Sequence, residues 1–214
     1  MNTTSHEAEI GSVRAFGGVG SILMLLTIIP TVGGILGIIG LVFLLIALRK
    51  LSDVAKDESI FRNALIAVIL GVVAVVITAL VILSAFFGVF STVIRSQGPI
   101  TITGTSIPGI LQTQTTIPPG FLGLLASIII ALIALWVFLI ASSYFLYKSY
   151  KSAALQTGVG LFSTAGLLYL VGSILTIILV GFVIILVAII LQAVAFFSLP
   201  GSFKKPETPS SNPT

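Results

Sequence analysis

Four long apolar runs, at about residues 13–48, 60–94, 120–147 and 158–199, take up most of this chain, and charged residues fall at their edges or between them. A helix that crosses a bilayer needs about 20 mostly apolar residues at 1.5 Å each. The second and third runs each predict one long helix. The second, if wholly helical, is about 50 Å long and must tilt or project beyond the hydrocarbon. Asp57, Glu58 and Ser59 lie just ahead of it and supply helix-start chemistry, with acids at the positive end of the dipole.

The first and fourth runs are too long for one span, and each predicts a helical hairpin. In the first, Pro30 removes a backbone donor and Gly33 and Gly34 follow at once, so Pro30-Thr31-Val32-Gly33-Gly34 predicts a turn. The flanking helices come out short, about 17 and 14 residues against the roughly 20 of a full span. A re-entrant pair that never fully crosses is therefore an alternative, tolerated only where other protein covers the freed backbone. The fourth run has a weaker break near Gly181. Val-Gly-Ser-Ile-Leu occurs at 19–23 and again at 171–175, each copy just ahead of its expected turn. Two readings stand: an internal repeat of the kind found in transporters, or a chance match in a chain dominated by Ile, Leu, Val and Gly.

Composition agrees with the pattern. Apolar residues make up 57%, charged residues 7%, and the mean hydropathy is +1.25, far from the roughly 25% charge of a soluble domain. The formal charge of +4 does not point to nucleic acid, because the basic residues sit in ones and twos beside apolar runs, as at cytoplasmic flanks. Six spans with both termini in the cytoplasm place Arg14, Arg49, Lys50, Lys56, Arg62, Lys148, Lys151, Lys204 and Lys205 inside and only Arg95 outside. Four spans would put Arg14, Lys204 and Lys205 outside, so the positive-inside rule favours six. Glu7 and Glu9 precede Arg14 and no polar cleavage region follows, so the first apolar segment is expected to be retained. The expected fold is all-α, a polytopic transmembrane bundle built as hairpin, two long helices, hairpin. Residues 1–12 and 200–214 are expected to be cytoplasmic tails, the latter disordered. Residues 13–199 form the membrane domain, with an outer loop at 96–119.

Candidate chemistry is sparse. There is no cysteine, and the single histidine, His6, lies in the N-terminal tail. No phosphate-binding loop, HExxH, paired carboxylate or Ser-His-Asp set is present. No residue is a candidate for catalysis, for a cofactor or for a metal, and an enzyme is not expected. The connector 49–62 repeats Leu48, Leu51, Val54 and Ala55 at helical spacing and predicts a short amphipathic helix along the membrane surface. It is either a docking site for a partner or anionic headgroups, or a solvated connector. The loop 96–119 partly alternates threonine with apolar residues and has no ionisable side chain. It reads as a small β-hairpin around Gly104-Thr105, a cap indifferent to external pH, or else as a flexible linker. Gln192 is expected to bond between helices. Gly33, Gly37 and Gly40, with Gly17 and Ser21, and Ser84 with Gly88, predict seams where helices approach closely. Phe86, Phe87, Phe90, Tyr144, Phe145, Tyr147 and Tyr150 lie near run ends and read as interfacial aromatics.

Three stretches carry a resemblance: Gly-Gly-Val-Gly-Ser-Ile-Leu at 17–23, Ile-Ala-Leu-Arg-Lys-Leu-Ser-Asp at 46–53 with Ser-Ile-Phe-Arg-Asn-Ala at 59–64, and Ala-Phe-Phe-Ser-Leu at 195–199. On these the chain resembles an archaeal family of membrane proteins, the domain-of-unknown-function family 996. The likeness covers most of the chain apart from the tails and the threonine-rich loop. It implies an archaeal plasma membrane and lends no activity. The expected function is a non-enzymatic membrane component that assembles with itself or with a larger complex in the lipid bilayer. The alternative is a passive channel or carrier for a small neutral solute.

Overall fold

The first three apolar runs become helices that extend beyond them, while the fourth breaks into two helices within its bounds. The computed structural model describes residues 3–96 and 121–201. Among the described residues there are six α-helices: α1 (Thr3–Leu25), α2 (Gly33–Ala55), α3 (Glu58–Ser96), α4 (Phe121–Thr157), α5 (Leu161–Leu175) and α6 (Val180–Phe197). Each contains a stretch long and apolar enough to cross a membrane, counting the short 3-10 turns that continue α1 and α5. The protein is a multi-pass, all-α membrane protein in the expected order of hairpin, two long helices, hairpin. The expected β-hairpin and loop between Ser96 and Phe121, and the C-terminal tail after Gly201, lie outside the described residues.

Three expectations need correction. Helix α1 begins at Thr3, so residues 3–12, read from their polarity as tail, are helical, and Arg14 lies well inside the helix. Both helices of the first hairpin have 23 residues, so the short, re-entrant version is not forced by length. The connector is also different. Helix α2 runs straight through Arg49, Lys50 and Asp53 to Ala55, so no separate surface helix forms. The helical spacing of Leu48 and Leu51 is real, but both are fully buried against protein rather than lying on lipid.

The α2–α3 reversal shows how the sequence manages this. Lys56 adopts the left-handed conformation (φ 55°), its N–H bonds Asp53 O, and Asp57 N–H bonds Ser52 O at 3.1 Å. That is a Schellman ending, closing the last carbonyls of α2. Asp57 then caps α3 by accepting from Ser59 N–H at 2.9 Å, an N-cap to N2 bond. At the α4–α5 corner Gly158 takes the left-handed position (φ 73°), as glycine does most cheaply.

Each hairpin closes the same way. A 3-10 turn, Leu26–Ile28 or Thr176–Ile178, follows the first helix before the chain reverses. The two Val-Gly-Ser-Ile-Leu copies occupy the same place, at the ends of α1 and α5. In each the glycine meets a glycine of the returning helix. A side chain at Gly20 would stand 2.8 Å from Gly40 O, and one at Gly40 would stand 2.7 Å from Gly20 O. Gly172 and Gly181 oppose each other likewise, which leaves the break at Leu179 rather than at Gly181 itself. Helix α1 also packs along α6, joining the hairpins.

The chain divides into two compact units, Met1–Gly71 with Phe138–Thr214, and Val72–Val137. In the first, Leu48, Leu51, Ile60, Tyr150, Phe162 and Phe196 are fully buried at the end where the charged residues gather. Ser149 Oγ donates to Ile60 O at 2.6 Å and Ser142 Oγ to Ala67 O at 2.7 Å, tying α4 to α3 within this unit. In the second, only Ala74, Thr78 and Ala131 are buried among the described residues, and apolar side chains such as Val75, Leu80, Phe86 and Ile130 are exposed.

Candidate functional site

Inside the first unit, four polar side chains from four helices meet where the surroundings are apolar. Gln192 on α6 is fully buried. Its Nε2 donates to Ser21 Oγ of α1 at 2.7 Å, and its Oε1 accepts from the Tyr169 hydroxyl of α5 at 2.7 Å. Ser21 in turn donates to Gly17 O at 2.7 Å. The donors all point one way along Tyr169, Gln192, Ser21 and Gly17, so each bond polarises the next. Gly17 also admits the Phe196 ring, which lies where a side chain at 17 would be.

Tyr150 of α4 completes the cluster. Its ring meets Tyr169 and Phe162 edge-on, with centroids 6.3 and 5.9 Å apart. The residue is fully buried, yet its hydroxyl has no hydrogen-bond partner. An unpaired buried hydroxyl costs about 1–3 kcal/mol. It is the one group of the cluster with hydrogen-bonding capacity wholly unused.

At the charged end of the same unit, Arg14 Nη2 donates to Leu199 O. A cation thereby meets the carbonyl-rich end of α6, which the helix dipole favours. Lys50 Nζ donates to Ser12 Oγ at 3.0 Å and lies 5.0 Å over the Phe16 ring. Lys50, Glu9, Asp53 and Val54 line an open cleft of about 300 Å³. The Asp57 carboxyl is held below its ordinary value by hydrogen bonding to Ser59, with Gln156 and Arg62 helping and partial burial opposing. No three His, Asp or Glu side chains gather at metal-binding distance among the described residues.

Sequence reasoning found Gln192 as a bond between helices and Ser21 with Gly17 as a packing seam, but it did not join the two or bring in Tyr169 and Tyr150. Tyr150, read as an interfacial aromatic, is a core residue, because α4 continues past Lys148 to Thr157 and carries it into the packing. Of the small-residue seams, Gly17 and Gly40 are tight contacts, Gly33 and Gly37 lie against Thr27, and a first side-chain carbon at Gly88 would stand in open space. Ser84 is exposed and bonds Val81 O of its own helix. Hydroxyls of Thr27, Ser127, Ser173 and Thr176 likewise bond their own helices. No signal in the sequence sets Tyr169 apart from the other tyrosines. Its spacing from Gln192 becomes meaningful only once the chain reverses at Leu179.

Comparison with known proteins gives a consistent answer. A family profile described as "Protein of unknown function (DUF996)" matches residues 36–190. An uncharacterized protein of Methanocaldococcus jannaschii, MJ1644, is 32% identical over 196 residues, covering 92% of this chain and 96% of that one. No solved structure matches.

Proposed function

Since the chain belongs to the DUF996 family, whose description carries no activity, we propose from its own residues that this membrane protein is a non-enzymatic accessory or structural component. It would assemble with itself or within a larger membrane complex. The observation that carries this reading is where the polar groups go. Gln192, Ser21, Tyr169, Ser142 and Ser149 hold helices to one another, as polar groups do in lipid where apolar contact alone gives no preference. The exposed surface of the second unit is left almost wholly apolar. The proposal includes a plasma-membrane location with both termini cytoplasmic, supported by the concentration of basic side chains at one end.

Native purification in mild detergent, with mass spectrometry of co-purifying proteins, tests it. A stoichiometric partner or a homo-oligomer is expected. A monomer without partners would remove the proposal.

A passive path for a small neutral solute is the second reading, and the unpartnered Tyr150 hydroxyl beside Tyr169 and Gln192 favours it. Under that reading, Tyr150→Phe abolishes solute flux in liposomes while leaving the fold intact. Under the accessory reading there is no flux to lose.

A further inference from the structure

We infer that both hairpin turns end within the membrane, with acyl chains as the surface they contact. This rests on the protein being multi-pass and not on the accessory reading. The uncharged stretch of α2, residues 33–48, is about 24 Å long, and α6, with 18 residues, about 27 Å. Both are close to the roughly 30 Å of the hydrocarbon core, with no length to spare. The uncharged stretch of α3, residues 63–94, is about 48 Å long. With the charged end at one headgroup layer, the hairpin turns come up at about the far edge of the hydrocarbon rather than well beyond it, whereas α3 has length to spare.

The turns are made for that setting. From Leu26 to Leu48 and from Ser152 to Phe203 there is no charged side chain. Left-handed positions in turns most often take glycine, asparagine or aspartate, or a solvated side chain such as Lys56 at the α2–α3 reversal. The second hairpin instead puts Leu179 there, at φ 63° and 73% exposed. Its neighbours Ile177 and Ile178 are exposed as well, at 70% and 59%. A leucine in that conformation is strained, and in water its exposure would add nothing to offset the strain. Among acyl chains the same exposure is neutral.

The backbone is also largely closed on itself. Ile29 N–H bonds Leu26 O, Gly33 N–H bonds Ile29 O, Leu179 N–H bonds Thr176 O and Phe182 N–H bonds Leu179 O, all at 3.1 Å or less. Pro30 has no donor to leave open. Thr27 and Thr176 bond their own helices through their hydroxyls. These are the terms on which a turn enters an apolar phase.

The absence of native cysteine makes the test direct. Single cysteines at Ile28, Ile35, Ile177 and Ile178, and a reference cysteine at Thr113, are introduced into the full chain in proteoliposomes. Each is treated with a membrane-impermeant maleimide, with denatured samples confirming that the thiol reacts. Each is also spin-labelled and its relaxation by oxygen compared with that by a water-soluble nickel chelate. Two sites per hairpin guard against one variant failing to fold. The expected result is labelling at least tenfold slower than at Thr113→Cys, with oxygen dominating relaxation. Labelling at the reference rate would overturn the inference by placing the turns in water. Protection from both maleimide and oxygen would overturn it in favour of a protein cover.

Discussion

The two compact units are built from the same few residue types but are held together by different means. Met1–Gly71 with Phe138–Thr214 has glycine-to-glycine backbone contacts, a buried hydrogen-bonded chain and a packed aromatic group. Among the described residues of Val72–Val137 only Ala74, Thr78 and Ala131 are buried, and most other side chains are exposed. Its hydroxyls at Ser84, Ser91 and Ser127 bond their own helices. Lipid is as apolar as leucine, so burying leucine between helices gives little preference over leaving it in lipid. What specifies a membrane fold is close backbone approach and polar pairing. The first unit has both, whereas among the second unit's described residues the same composition comes with mostly exposed side chains.

The largest test of that difference is a glycine in each unit. Gly20→Leu forces a side chain onto Gly40 O, 2.8 Å from its first carbon. It should cost more than about 3 kcal/mol or abolish folding, the range of severe overpacking. Gly123→Leu meets nothing within 4 Å of its first side-chain carbon and should leave the melting temperature in detergent unchanged or slightly raised. Equal losses at both sites would erase the contrast.

Next comes a buried polar group in each unit. Gln192→Leu leaves the Tyr169 hydroxyl without its acceptor and should cost about 1–2 kcal/mol, between the usual membrane value and the cost of an unsatisfied buried group. Thr78 is buried in the second unit with its hydroxyl unpaired. Thr78→Val removes an unmet polar group and should be neutral or stabilising. Chemical denaturation in mixed micelles reads both. A loss at Thr78 comparable to that at Gln192 would mean its hydroxyl has a partner after all.

These residues also mark what the sequence could say. Periodicity and run length were enough for the helices, because a long uncharged run has one stable form in lipid. They misplaced the ends, because charge suggested that Arg49, Lys50 and Lys148 closed the helices. In fact α2 and α4 continue through them, and the caps that stop the chain are local hydrogen bonds at Ser52, Asp57 and Thr157. Gln192 stood out as a strongly polar group deep in an apolar run. Its partners Ser21 and Tyr169 did not, since pairing between residues 171 and 23 positions apart depends on how α1, α5 and α6 pack. Tyr150 was misread for the same reason that the end of α4 was.

A smaller effect probes the bonds that bring α4 onto α3. Ser149 is fully buried and its hydroxyl reaches Ile60 O. Ser149→Ala should cost about 1 kcal/mol, the net worth of one such bond. Ser127→Ala, in the second unit, breaks only a bond to its own helix, and a change below about 0.5 kcal/mol is expected. A double substitution that falls far from the sum would show the two sites to be coupled.

The smallest expected effect is a pH dependence, and it should be confined to the first unit. Arg95 is the only ionisable side chain between Val72 and Val137, and arginine keeps its charge throughout the working range. The first unit has Asp57, whose carboxyl titrates below its ordinary 3.8 because Ser59, Gln156 and Arg62 favour the charged form. A carboxyl depressed in the folded state stabilises it above the unfolded value. That contribution fades as pH falls through 3.8 and is gone below the folded value. Asp57 is only partly buried, so screening limits the effect to a few tenths of a kcal/mol. Asp57→Asn keeps an oxygen for Ser59 N–H but loses the charge, so it should melt slightly below the parent at pH 7, with the gap narrowing as pH falls below 3.8. Hydrogen exchange across the α2–α3 corner, corrected for intrinsic rates, should show the same convergence, while peptides from 72–94 show no difference at either pH. A pH-dependent difference in those peptides would mean that the two units do not hold separately.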